Sequence, residues 1–266
     1  MDDRTVIPSF IFLDKGVVPK MKQTILFDLD DTLVYCNKYF YLVIEQFSDS
    51  MLTWFAGYPG ITADIIKKKQ TEIDIAGVHV LGFKSDHFPQ SFIDTYVYFS
   101  DMTGRRRSPV EEDFLWKLGR SVYEHQVEPY PFMESTLNDL AEYGHELHLY
   151  TGGELLIQRR KIDQLNLERY FGPRIYIRRH KNNEALESIL QEGDFNRAST
   201  WMIGNSIRTD VVPALTAGIN AIHMKVDTEW AYNNVEIAVQ PQGAFFTLHQ
   251  LPDVPPTIHR YVEDRQ

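Results

Sequence analysis

Asp28, Asp30, Asp31 and Thr32 fall within five residues, directly after the apolar run Thr24 to Phe27. Two carboxylates spaced like Asp28 and Asp30 at the end of a strand can divide the labour, one attacking an electrophile and the other handling a proton. Further groups follow similar apolar runs: Thr151-Gly152-Gly153, then Arg178-Arg179-His180-Lys181, then Gly204-Asn205-Ser206 with Asp210 beyond. Several carboxylates gathered with a hydroxyl and a carboxamide repel one another unless positive charge sits among them. That calls for Lys181 and a metal ion. Oxygen donors of this kind suit Mg2+, which keeps several waters and takes few protein groups.

The elements that must position these residues are legible as short apolar stretches. Thr24 to Asp28, Glu146 to Thr151, Arg174 to Ile177, Thr200 to Gly204 and, more weakly, Asn220 to Met224 read as strands buried on both faces, the habit of a parallel sheet. Helical stretches alternate with them: Ser135 to Tyr143 with Ser135 as N-cap, Leu155 to Leu167, Asn183 to Gln191 and Asp210 to Ala217. The alternation predicts an α/β fold, a Rossmann-like parallel sheet with helices on both faces, whose ligands sit beyond the carboxyl ends of the strands. Residues 36–128 break the rhythm. They are rich in aromatics and helical in pattern, punctuated by Pro59-Gly60 and Ser108-Pro109, and Pro129-Tyr130-Pro131 returns the chain to the sheet. The predicted organisation is an N-terminal extension (1–20), a core built from 21–35 and 129–266, and an inserted α-helical cap (36–128). The tail, with Pro252, Pro255 and Pro256, reads as irregular and superficial.

Composition narrows the function. Of the 266 residues 43% are apolar and 24% charged, enough for a substantial core. The net charge of -10 argues against a nucleic-acid binder that works by neutralising phosphates. Cys36 is the single cysteine, which excludes an internal disulfide, fits the reducing cytoplasm and reads as a small buried hydrophobe. No apolar run approaches the ~20 residues that cross a bilayer, and Ile7 to Leu13 is too short and wrongly flanked for a secretory signal. Lys67 to Lys69 and Arg105 to Arg107 read as solvated faces, Asp31 as solvated, and His79, His87 and His125 as packing or surface residues.

In this order and spacing the motifs resemble the haloacid dehalogenase-like superfamily of hydrolases. Asp28-x-Asp30-x-Thr32 is similar to its first motif, Thr151 to its second, Lys181 to its third, and Gly204-Asn205 with Asp210 to its fourth. The aromatic insert stands where the helical-cap members carry theirs. The resemblance implies a magnesium-dependent phosphomonoester hydrolase acting on a small phosphorylated metabolite. Asp28 would be the nucleophile that forms an aspartyl-phosphate, and Asp30 the acid and base. Thr151 and the Gly152 N–H would hold phosphoryl oxygens, while Lys181 neutralises phosphate and orients Asp28. The implied Mg2+ ligands are the Asp28 carboxylate, the Asp30 backbone carbonyl, Asn205 and Asp210, with pairing to Lys181 the other role open to Asp210. Asn205 departs from the usual Asp, so Asn205→Asp is expected to tighten magnesium. Within the same fold a phosphomutase or a carbon–halogen hydrolase is the alternative, though the latter needs no second acid. A catalytically silent phosphate-binding module is the remaining one, and assembly with a second copy of the chain is left open.

Overall fold

A computed structural model describes residues 21–265, so the extension assigned to 1–20 lies outside them. The first strand, β1 (Thr24–Phe27), buries Ile25, Leu26 and Phe27 completely, as a strand flanked on both edges and covered on both faces must. The chain then forms the helices α1 (Asn37–Trp54), α2 (Ala63–Leu81), α3 (His87–Thr103) and α4 (Pro109–Ser121) before returning through α5 (Met133–Glu142) to β2 (Glu146–Gly152). There follow α6 (Leu155–Gln164), α7 (Glu168–Phe171), β3 (Ile175–Arg178), α8 (Asn183–Glu192), β4 (Thr200–Gly204), a π turn (Ile207–Val211), α9 (Val212–Thr216), β5 (Asn220–Met224), β6 (Phe245–Leu248) and α10 (Val254–Glu263). The sheet is parallel throughout, in the order β3-β2-β1-β4-β5-β6.

Phe27 sits beside Leu149 of β2 and Ile203 of β4, so the chain leaves the centre of the sheet at Asp28 with Thr151 and Gly204 nearby. This is where the strand order reverses, the crevice of an open α/β sheet. The pleat sends Ile25 and Phe27 into one core, with Leu137, Ile162, Phe171 and Ile258, and Leu26 into the other, with Leu186, Ile189 and Leu215. The helices α1–α4 have a core of their own, in which Phe47 stacks on Phe92 with ring centres 4.2 Å apart.

Four expectations need correction. The tail is neither irregular nor superficial: β6 adds a sixth strand and α10 buries Val254, Pro255 and Ile258. Prolines are tolerated there because the N–H groups of a first helical turn have no partner within the helix. Ser135 does not cap α5, which begins at Met133 behind Phe132 in the left-handed region (φ 66°). Arg105 is not a solvated face, since it grips Glu111 with two bonds of 2.7 and 2.8 Å and Tyr96 with one of 3.0 Å. Cys36 is partly exposed rather than buried.

Candidate active site

After β1 the chain turns back on itself, Leu33 and Val34 both donating to the Leu29 carbonyl and Asp31 N–H donating to Val34. Asp31 takes a positive φ of 57° in this turn. Far from being solvated, its carboxylate is buried and accepts the backbone N–H groups of Cys36 and Asn37 at 3.0 Å, which ends the turn and starts α1. Burial pushes Asp31 up to about 7, against the opposing pull of those N–H groups.

The turn presents Asp28, 6% exposed, to Lys181, whose Nζ lies 2.6 Å from Oδ1. Lys181 also pairs with Asp210, which is 1% exposed. One buried cation is thus shared by two buried carboxyl groups. Burial, with Asp210 nearby, pushes Asp28 up to about 8 although Lys181 opposes it, and the two carboxylates in turn raise Lys181. Thr32 Oγ1 lies 3.2 Å from Asp28 Oδ2 and 3.4 Å from Asn205 Oδ1, and accepts the Asn205 N–H at 3.0 Å. The free oxygens of Asp28 and Asn205 therefore converge on one hydroxyl. Among the described residues no three His, Cys, Asp or Glu side chains form a metal-binding group. A carboxylate, a carboxamide oxygen and a backbone carbonyl still fit Mg2+, which draws the rest of its shell from water.

Asp210 closes the π turn through Oδ2, which accepts the Ser206 N–H at 2.9 Å. That oxygen packs against Gly204, where a Cβ would approach it to 2.2 Å. Gly204→Ala should therefore cost ~1–3 kcal/mol by overpacking. It should lower the urea midpoint measurably, and an unchanged midpoint would show that Asp210 moves aside freely.

Thr151 is fully buried and Gly152 lines the same cavity as Asp28. Phe83, between α2 and α3, lies so close over Gly152 that a Cβ would meet its ring at 2.7 Å. Asp30 is anchored from α6. Its oxygens are held by Lys161 at 2.6 and 2.8 Å, and Gln158 spans the two motifs, donating to Asp30 Oδ2 at 3.0 Å and to Thr151 Oγ1 at 2.6 Å. Lys161 and Gln158 lie on α6, a turn apart on one face, a spacing that the helical pattern carries without showing what it faces.

Glu229 escaped sequence reasoning altogether. Its Oε2 accepts Asn205 Nδ2 at 2.9 Å, and its Oε1 accepts Asn233 Nδ2 at 2.7 Å and the Trp230 N–H at 2.8 Å. The bond from Asn205 fixes the carboxamide so that Oδ1 turns toward the Thr32 hydroxyl. A carboxylate thus stands directly behind the carboxamide at position 205. Extending the strand-end rule to the fifth strand would have brought Asp227 and Glu229 to notice.

The model of the haloacid dehalogenase-like hydrolases matches residues 87–224. The chain belongs to this family. The match contains Thr151, Lys181, Asn205 and Asp210 and stops short of Asp28, which the sheet places between the matched strands β2 and β4. Among solved structures, a haloacid dehalogenase-like family hydrolase from Xanthomonas campestris is 24% identical, with a TM-score of 0.72 over 92% of this chain and 99% of its own. The HAD-hydrolase YfnB of Bacillus subtilis, bound to magnesium, gives 0.62 at 14% identity over 89% and 98%. The L-2-haloacid dehalogenase of Xanthobacter autotrophicus gives 0.52 at 15% identity over 90% and 98%. At these identities the likeness establishes the shared fold. No curated protein matches the sequence. As a haloacid dehalogenase-like hydrolase the chain is an enzyme with a Rossmann-like core, and no helix among its described residues is long and apolar enough to cross a membrane.

Proposed function

We propose that this hydrolase cleaves phosphate monoesters of a small cytoplasmic metabolite with Mg2+. Asp28, the Asp30 carbonyl and Asn205 would hold the ion, with Asp210 kept nearby by Lys181. The observation that carries the reading is Asp30 in the cavity with Asp28. Loss of halide needs no proton, whereas an alkoxide leaves far better when one is delivered. Bound Mg2+ would screen the phosphate from the carboxylates and stabilise charge on the transferring group.

The residues then have balanced roles. A carboxylate oxygen of Asp28 bonds to phosphorus as the bond to the leaving oxygen breaks, and Asp30 gives that oxygen its proton. Asp30, again a carboxylate, takes a proton from water as the water oxygen bonds to phosphorus. The bond to Asp28 breaks, releasing inorganic phosphate. Lys161, bonded to both Asp30 oxygens, keeps that carboxyl group in one orientation for both steps.

The test is phosphate release from aryl and alkyl phosphates, with magnesium and with chelator. Asp30→Asn should slow alkyl esters at least ~10-fold more than nitrophenyl phosphate, since help from an acid matters most for basic leaving groups. Equal losses across leaving groups would remove Asp30 from the proton transfer, and release independent of magnesium would remove the metal.

A further inference from the structure

The cavity over Asp28 has a volume of about 310 Å³ and runs up between the helices α1, α2 and α3. Phe40, Ile44, Val78, Phe83 and Phe88 give its upper part an apolar wall. A polyhydroxylated leaving group would lose its hydration against these side chains with little in return.

The charges lining it are unequal. Asp28, Asp30, Asp31, Asp74, Glu154 and Glu229 face Lys84, Lys161 and Lys181. Lys161 is committed to Asp30 and Lys181 to Asp28 and Asp210. A leaving group with a second anion would enter a field that repels it.

Five of the six carboxylates already have donors: Lys181 for Asp28, Lys161 for Asp30, backbone N–H groups for Asp31, Ser85 for Glu154 and Asn205 for Glu229. Asp74 is the exception. It is 7% exposed, on the inner face of α2, and no described group donates to its carboxylate within hydrogen-bonding distance. The nearest, His87 Nε2, stands 3.6 Å from Oδ1 and instead lies 2.9 Å from the Asp74 backbone carbonyl. Gly77 makes room for that arrangement, since a Cβ there would meet the His87 ring at 1.9 Å. Burial pushes Asp74 up to about 6, with His87 opposing the rise across a gap too long for a hydrogen bond. A buried carboxylate without donors is costly, and a ligand that brings a donor removes the cost.

We infer that the substrate is a phosphate monoester of a largely apolar alcohol bearing an amine, whose ammonium group binds Asp74. The inference rests on the phosphohydrolase reading of the same cavity.

The experiment compares phosphate monoesters on one arylalkyl skeleton that end in amine, hydroxyl, methyl or carboxylate. The amine should have a kcat/KM at least tenfold above the methyl compound, and the carboxylate should fall at least tenfold below it. In Asp74→Asn the amine-to-methyl ratio should collapse toward one. Hydrolysis of the whole series with no preference for the amine would overturn the inference and leave the phosphohydrolase standing, and equal rates for hydroxyl and amine would overturn the ammonium. Calorimetric binding of the matching phosphonates to the wild-type protein reads the same preference without turnover. If nothing is hydrolysed, the phosphohydrolase reading fails, and equal affinity of the amine and methyl phosphonates overturns the Asp74 site separately.

Discussion

Asp28→Asn should turn over phosphate monoesters at least ~10⁴-fold more slowly than the wild type, the scale on which loss of a covalent nucleophile is felt. It should also melt no lower. Lys181 keeps Asp210 as a partner when Asp28 becomes neutral, so no buried cation is stranded. The substitution leaves Lys181 paired with Asp210 alone, and a carboxamide fills nearly the same volume. Loss of activity with retained stability is therefore the signature expected of a chemical role. Near-normal turnover in a preparation free of wild-type enzyme would remove Asp28 from the chemistry. A large drop in melting temperature would make its role structural.

The second large effect concerns magnesium. The departure at Asn205 leads one to expect that Asn205→Asp tightens the ion by adding a charge. The neighbouring carboxylate changes that expectation, because Glu229 already accepts from Asn205 Nδ2 at 2.9 Å. A new carboxylate there would face Glu229 with no proton between them, and repulsion offsets most of the gain. Glu229→Gln should weaken magnesium by ~10-fold or more, about 1.4 kcal/mol. Asn205→Asp alone should change affinity by less than ~3-fold. The double variant Asn205→Asp/Glu229→Gln reverses the polarity of one hydrogen bond and keeps the charge, and should return to within ~3-fold of the wild type, a strongly non-additive cycle. Calorimetric titration of the metal-free proteins reads all four affinities without turnover. Unchanged affinity in Glu229→Gln would mean that its charge does not reach the ion, and additive effects would separate the two residues.

Much of the site could be read from residue order alone, because the residues concerned sit at the ends of strands. A strand buried on both faces must be a continuous apolar run, so Thr24 to Phe27 and Thr200 to Ile203 announce themselves, and whatever polar group follows is delivered to the sheet edge. Asp28, Thr151, Lys181, Asn205 and Asp210 were legible for that reason, and so was the separate character of the aromatic stretch that forms α1–α4. The sixth strand and α10 were missed. β6 is short and lies at the sheet edge, and the prolines of α10 mimic a loop unless they are seen to occupy a first helical turn.

What the tertiary structure alone decided is which charges meet. Lys161 finds Asp30 across 131 positions, and Glu229 finds Asn205 from a loop without periodicity. Asp74 belongs to an amphipathic helix in which any acid would pass for a solvated one until the packing of α3 and His87 buries it. Periodicity records which face of an element is buried, a property of neighbouring residues. The pairing of one buried charge with another depends on how remote elements pack, and no local pattern carries it.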